Sequence, residues 1–501
     1  MNMMIGYGAI LAFTVLVVVV MNRARRGDAT MSEYATGGRS FSSWFGTMAF
    51  LNTWLAGTVF VAFAGLTASG GVIGMYSLSY SLLSVVLMFF LGTPVNKWGR
   101  TYDLRTQADL LGLRYNSRSV RVIAAIIGVL ASVPWVVLGM QSLGLVFSTL
   151  SFGQVSPYLA VVIGVLFIAA RQIWTVKLGT RGLIISDMVQ GLFAYGIGFL
   201  VILGMLVWLV NNGHGFGAMA PALLELPGLG SPAGPFYLFS LMFTGMMGAW
   251  CWPDLFVRMF SVRTPRTVKK SAVQAAPLLF IFSAALTTVS LLASSVPGVS
   301  EAPDTVWFIM AGIGGVGLVA VAGVCVVAAT MGNVGANLQA LGTQIANDIV
   351  GARSHERVES AKGAKIAVAA VTLVSAAVAL FTANQVSGLI AIALVSYQAI
   401  CQLAPTLLLG IFWRRGTAAA ANAAMVSGIL VAAVLELMYP SPLSIPWLGG
   451  LTSGVAGLIV NLAVYLAVSW LLPATAVEQQ RVDALFDDLK SKAPVSQGAA
   501  S

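Results

Sequence analysis

Apolar runs of about twenty residues recur from Met4 to Leu472, each the length that carries an α-helix across a bilayer. Thirteen are expected, over about 4–21, 42–68, 72–93, 120–147, 158–174, 183–210, 236–258, 271–294, 311–349, 364–383, 387–412, 417–438 and 447–472. The basic residues alternate with them. All 27 Lys and Arg fall after runs 1, 3, 5, 7, 9 and 11 or in the tail, and the other connecting segments carry none. Basic residues stay on the cytoplasmic side of a membrane. The pattern therefore predicts an odd number of spans, the N-terminus outside and the C-terminus cytoplasmic. The fold class is an all-α polytopic membrane protein with 13 transmembrane helices. It is read as one transmembrane domain, 1–472, followed by a cytoplasmic tail, 473–501, in the cell (inner or plasma) membrane.

The formal net charge of +10 comes from that segregation and speaks for no nucleic-acid partner. Run 1 has no basic residue ahead of it and is read as an anchor rather than a cleaved signal. Cys251, Cys325 and Cys401 fall inside runs and are read as small packing residues. His214 and His355 fall in loops on opposite sides, which leaves no His/Glu/Asp cluster for an enzyme or a metal centre. The tail is expected to be a solvated helix over Val477–Leu489, with disorder after Ala493. It is short for the signalling domain a membrane sensor carries. Between runs 3 and 4, Thr106 precedes Gln107 and Asp109 as an N-cap would, so Thr106–Tyr115 is expected to be a short interfacial helix.

Runs 2 and 7 are unlike the others. Phe50–Phe60 reads "FLNTWLAGTVF" and Thr244–Phe256 reads "TGMMGAWCWPDLF". Each puts Gly and polar or aromatic residues at mid-membrane, where irregular backbone survives only against protein or a watery cavity. Run 2 starts inside and run 7 outside. A five-span repeat relating them is therefore inverted, and paired broken helices in inverted halves point to a transporter's binding site. Run 9 is polar in another way: Ala328–Ile349 holds Thr330, Asn333, Asn337, Gln339, Thr343 and Gln344 among small residues.

Several short motifs stand in order along the chain: Gly37, Gly38 and Arg39; Leu111, Arg114 and Tyr115; Thr180–Gln190 with Asp187 and Gln190; Pro253 and Arg258; Pro405, Gly410, Phe412 and Trp413. In that order and spacing the chain resembles the sodium:solute symporter family, which includes proline, pantothenate, sialic acid and sugar symporters. The resemblance runs from Gly37–Phe45 to Phe412–Thr417. It implies a leucine-transporter-type fold, with a ten-helix core of two inverted five-helix repeats and discontinuous first core helices. The repeats would be about 42–210 and 236–412, with extra spans at 4–21, 417–438 and 447–472.

The resemblance also implies a sodium site, built from the carbonyls of Asn52, Leu55 and Ala329 and from positions Gly332 and Asn333. Family members offer hydroxyls at the last two positions. This chain offers no side chain at Gly332 and an amide at Asn333, so Na+ stays open beside H+ or no coupling ion. Asp187, an acid within run 6, is a candidate for ion release or proton carriage, because burying a carboxylate is costly; a bridge to Arg181 is the bland alternative. Candidate substrate-binding residues are Trp54, Ala56, Gln141, Gly245, Ala249, Trp252, Pro253 and Gln398, with Gln402 beside them. Trp135, Trp250 and Trp252 serve equally well as packing. No Lys or Arg is read at mid-membrane, which favours a small solute of modest charge: an amino acid, monocarboxylate or vitamin-like acid. The expectation is a secondary active transporter, a cation-coupled symporter working by alternating access. The alternatives are a proton-coupled or sodium-independent transporter of the same fold, or a transporter-like sensor. Its partners would be the small-molecule substrate and the lipid bilayer, with no obligate protein partner.

Overall fold

The computed structural model describes residues 1–23, 30–226, 228, 233–353, 357–383 and 389–490; His355 and the tail beyond Lys490 lie outside them. Among the described residues no strand forms. That follows from the solvent: in hydrocarbon each backbone polar group needs an internal partner, and a helix supplies its own.

In chain order the helices are α1 (Asn2–Arg23), α2 (Met31–Thr36), α3 (Ser43–Trp54), α4 (Ala62–Gly70), α5 (Tyr76–Thr101), α6 (Gln107–Tyr115) and α7 (Arg118–Leu150). Then come α8 (Pro157–Gly191), α9 (Gly198–Asn211), α10 (Tyr237–Gly248), α11 (Pro253–Ser261), α12 (Pro265–Leu292) and α13 (Val306–Ile313). The chain closes with α14 (Gly315–Gln344), α15 (Lys362–Phe381), α16 (Leu389–Ile400), α17 (Ala404–Phe412), α18 (Ala418–Met438), α19 (Ser453–Leu471) and α20 (Ala476–Asp488).

Ten helical stretches among the described residues are long and apolar enough to cross a membrane. Expected runs 5 and 6 share one of them, Pro157–Asn211, which is interrupted at Gly179 (φ 60°, ψ −155°). A side chain there would meet the Tyr34 ring at 2.6 Å, so both the backbone turn and the close approach call for glycine. Expected run 7 is the shorter pair α10 and α11. Helix α6 begins as expected, with Thr106 capping the Asp109 amide at 3.0 Å.

Helix α14 is the axis of the molecule. It packs against α1, α3, α7, α8 and α15, and every residue from Ala322 to Gln344 is buried. Its small residues give room to polar side chains from its neighbours. A Cβ on Gly335 would stand 2.2 Å from a guanidinium nitrogen of Arg171. Its amides reach outward to other elements: Gln339 donates to the Tyr34 carbonyl at 3.0 Å and Asn337 to the Asp254 carboxylate at 3.2 Å.

The tail helix departs from expectation: α20 is docked. Val482, Leu485 and Phe486 are buried, Trp98 donates to the Leu485 carbonyl at 2.9 Å, and Phe486 meets the Trp98 ring edge-on at 5.4 Å. Arg414 bridges to Asp483 at 2.7 Å and to Asp487 at 3.2 Å, and the Arg114 and Arg414 guanidiniums lie against the Phe486 ring. The acidic–apolar alternation that reads as a solvated face has found a basic, aromatic seat.

Candidate functional site

Runs 2 and 7 both break where glycine and polar or aromatic residues interrupt them. Helix α3 ends at Trp54, Leu55 leaves helical geometry (φ −86°, ψ 71°), a 3-10 turn covers Gly57–Val59, and α4 resumes at Ala62. Helix α10 ends at Gly248, a 3-10 turn covers Ala249–Cys251, Trp252 is extended, and Pro253 opens α11 at its first position. Three carbonyls at the breaks meet side-chain donors. Gln107 donates to the Trp250 carbonyl at 2.8 Å, Asn333 to the Thr53 carbonyl at 2.6 Å, and the Tyr195 hydroxyl to the Leu55 carbonyl at 2.6 Å.

A narrow crevice opens beside the first break. Trp54, Leu55, Tyr80, Ser81, Trp135 and Tyr397 form one wall, and Ser283 and Thr287 on α12 another. Among the described residues no Asp, Glu, Lys or Arg lines it. The rings hold one another in place. Tyr397 sits edge-on to Tyr80 at 5.7 Å, Trp135 at 5.7 Å and Trp252 at 5.5 Å, and Tyr80 edge-on to Trp54 at 5.6 Å. The Trp54 indole donates to Ser81 at 2.8 Å, and the Tyr80 and Tyr397 hydroxyls are 3.1 Å apart.

Of the residues expected to bind substrate, Trp54 lines this crevice. Trp252 stands behind Trp135 and Tyr397. Gly245 backs Tyr80, where a Cβ would meet the ring at 2.6 Å. Ala56 and Ala249 are buried at the two breaks, and Pro253 starts α11. The structure does not bring Gln141 or the span-11 glutamines there. Gln141 donates to the Ala379 carbonyl on α15 and to the hydroxyl of Thr382, which caps that helix, and Gln398 accepts from the Gly454 amide at 2.8 Å. Gln402 donates to the Gly454 carbonyl at 2.9 Å. A long amide in a membrane helix finds the nearest backbone partner in the next helix, and here that partner lies on α15 or α19.

A model of the sodium:solute symporter family matches residues 34–428. The chain belongs to that family. It is 25% identical to the symporter YhjB of Bacillus subtilis, over 89% of this chain and 93% of that one. It is 24% identical to a monocarboxylic acid transporter of Corynebacterium glutamicum, over 88% and 84%. Among solved structures, a Na+-coupled sialic acid symporter in a substrate-bound outward-open state resembles it with a TM-score of 0.72, at 18% identity, covering 95% of this chain and 98% of that one. Mhp1, a nucleobase-cation-symport-1 family transporter in a closed conformation, does so with a TM-score of 0.54, at 16% identity, covering 92% and 99%. The fold is the leucine-transporter type.

The position at which family membership implies sodium is built differently here. Gly332 faces Asn52: a Cβ would stand 1.8 Å from the Asn52 amide nitrogen. That nitrogen donates to Asp187 at 2.9 Å and to Gln190 at 3.0 Å. The Asn52 amide oxygen lies 3.2 Å from the Tyr195 hydroxyl. Asn333 is held at both ends, since its nitrogen faces a carbonyl, Thr53, and its oxygen accepts from the Trp135 indole at 3.2 Å. Ala329 lies inside the unbroken α14, whose i→i−4 ladder uses its carbonyl. A hard cation wants several free oxygens around it. Of the five implied positions, the Leu55 carbonyl already holds a hydroxyl, the Ala329 carbonyl serves its helix, Gly332 has no side chain and the Asn333 amide is turned donor-inward, which leaves the Asn52 backbone carbonyl and too few other oxygens to fit sodium.

Asp187 is fully buried and meets Arg258 at 3.4 Å, not Arg181. Arg258 also donates to the Thr53 hydroxyl at 3.2 Å. Arg171, Asp254 and Arg258 are all buried, so guanidiniums and a second carboxylate lie inside the helix bundle, where the sequence places only Asp187. Arg171 and Arg258 close runs 5 and 7, which is why they read as loop residues. Tyr80, Ser81, Tyr195 and Tyr397 were also passed over, although "SLSYSLLS" at Ser77–Ser84 does carry hydroxyls through an apolar run.

Proposed function

We propose that the chain is a secondary transporter that carries a small organic solute by alternating access and seats it in the crevice beside Trp54–Leu55. The observation that carries this reading is the crevice: aromatic walls with a few hydroxyls, at a broken helix, with no ionised side chain among the described residues that line it. Such walls suit an apolar body bearing at most one charge, which supports a monocarboxylate, amino acid or vitamin-like acid. The likeness to a monocarboxylic acid transporter of Corynebacterium glutamicum supports the first of these. The proposal includes thirteen spans, inverted repeats at about 42–210 and 236–412, the N-terminus outside, the C-terminus cytoplasmic and residence in the cell membrane. Coupling to a cation is carried over from the family, whose model and Na+-coupled sialic acid symporter neighbour support sodium in general, while the residues at the cation position offer it few free oxygens.

The test is solute counterflow. Purified protein in proteoliposomes is loaded in turn with pyruvate, lactate, alanine, proline and pantothenate, and uptake of the labelled solute is followed. One class is expected to exchange, and Trp54→Ala is expected to lower its exchange at least tenfold, about 1.4 kcal/mol of lost contact. Exchange indifferent to Trp54→Ala and Tyr397→Ala contradicts the placement of the solute.

A further inference from the structure

Two carbonyls at the break in the first core helix, those of Thr53 and Leu55, already have a covalently tethered partner, and Leu55 is one of the carbonyls that family membership implies for a cation. Tyr195 reaches from the turn Leu192–Ile197 to the Leu55 carbonyl at 2.6 Å. Asn333 reaches from α14 to the Thr53 carbonyl at 2.6 Å. The orientation of the Asn333 amide is fixed by chemistry: the Trp135 indole only donates and the Thr53 carbonyl only accepts, so nitrogen must face Thr53 and oxygen Trp135. The space that a side-chain oxygen at position 332 would occupy is filled by the Asn52 amide. Glycine at 332 and asparagine at 52 are thus one fitted pair.

Electrostatics point the same way. The nearest carboxylate is Asp187: its Oδ1 accepts from the Asn52 amide at 2.9 Å, and its Oδ2, without a hydrogen bond, is ion-paired with the Arg258 guanidinium at 3.4 Å. A cation arriving beside Asn52 would meet an amide nitrogen and a carboxylate already neutralised by a fixed positive charge. In a low-dielectric interior an unpaired charge is costly, so the site has little to hold sodium with.

We propose that in this chain the tethered donors Asn52, Tyr195 and Asn333 take the place of sodium at the break in the first core helix, and that no sodium ion binds there. The neutral network holds the break in the conformation that shapes the crevice. The consequence for transport rests on the reading given under Proposed function: solute exchange needs no sodium. The binding statement stands apart from it and is tested without any solute.

The experiment uses the purified full-length protein in detergent. The unfolding midpoint is followed as sodium chloride is titrated against choline chloride at constant ionic strength. The expected result is one midpoint throughout. In choline, Tyr195→Phe, which loses the bond to the Leu55 carbonyl, and Asn333→Ala, which loses those to the Thr53 carbonyl and from the Trp135 indole, are each expected to lower the midpoint by at least about 1–3 °C. A saturable, sodium-specific rise in the wild-type midpoint overturns the proposal. So does a midpoint that neither substitution changes, since the network would then hold nothing. Because no solute is present, failure to find a transported solute leaves this result unaffected.

Discussion

A methyl group on Gly332 would stand 1.8 Å from the Asn52 amide nitrogen and 2.6 Å from its carbonyl carbon. Neither atom has room to retreat, because the same amide is tied to Asp187, Gln190 and Tyr195. Gly332→Ala should therefore destabilise the protein by about 1–3 kcal/mol, the usual range for overpacking. Adding Asn52→Ala should recover part of the loss, and a thermal double-mutant cycle reads that coupling directly. A cycle without coupling contradicts the fitted pair. At this scale the sequence was informative about where to look and less so about what happens there. It marked Gly332 and Asn333 as the departure from the family, but which atom of each amide faces inward depends on Trp135, Thr53 and Asp187. Those residues meet the two amides only through the fold.

Among elements, the breaks in runs 2 and 7 were legible, because glycine and proline act locally on the backbone. The docking of α20 was not, since its seat comes from Trp98, Arg114 and Arg414, far away in the chain. Phe486→Ala empties that seat, and tryptic cleavage after Arg481 should quicken by about tenfold for each ~1.4 kcal/mol of docking lost. Unchanged cleavage contradicts the docked tail. A second junction lies at Asp103, which accepts from Ser32 at 2.6 Å and pairs with Arg39 at 3.1 Å and Arg105 at 3.4 Å. Burial pushes its carboxyl up, but the Ser32 hydroxyl and the two guanidiniums outweigh that and hold it below the ordinary range. A carboxylate with a depressed pKa stabilises the fold above its unfolded pKa, and the stabilisation is lost as pH falls through its folded pKa. The lower midpoint expected of Asp103→Asn near neutrality should thus close toward wild type as pH falls below about 4. A deficit constant with pH contradicts the junction.

For the whole molecule, the recurring apolar runs carried the all-helical class and the multi-pass membrane setting without any contact being known. The placement of the solute came from the structure, since Trp54, Tyr80, Trp135 and Tyr397 belong to four different helices and share no sequence signal. The guanidiniums inside the bundle were missed for a related reason. Arg171 and Arg258 sit at the ends of their runs in sequence but are buried in the fold. The account joins two parts, a solute seat at a broken helix and a break held by the chain's own donors. The measurement that bears on both is counterflow of the exchanged solute with choline replacing sodium on both sides of the membrane. The account predicts the same exchange rate in either salt and its loss in Trp54→Ala. Exchange that stops without sodium, or that survives Trp54→Ala, contradicts it.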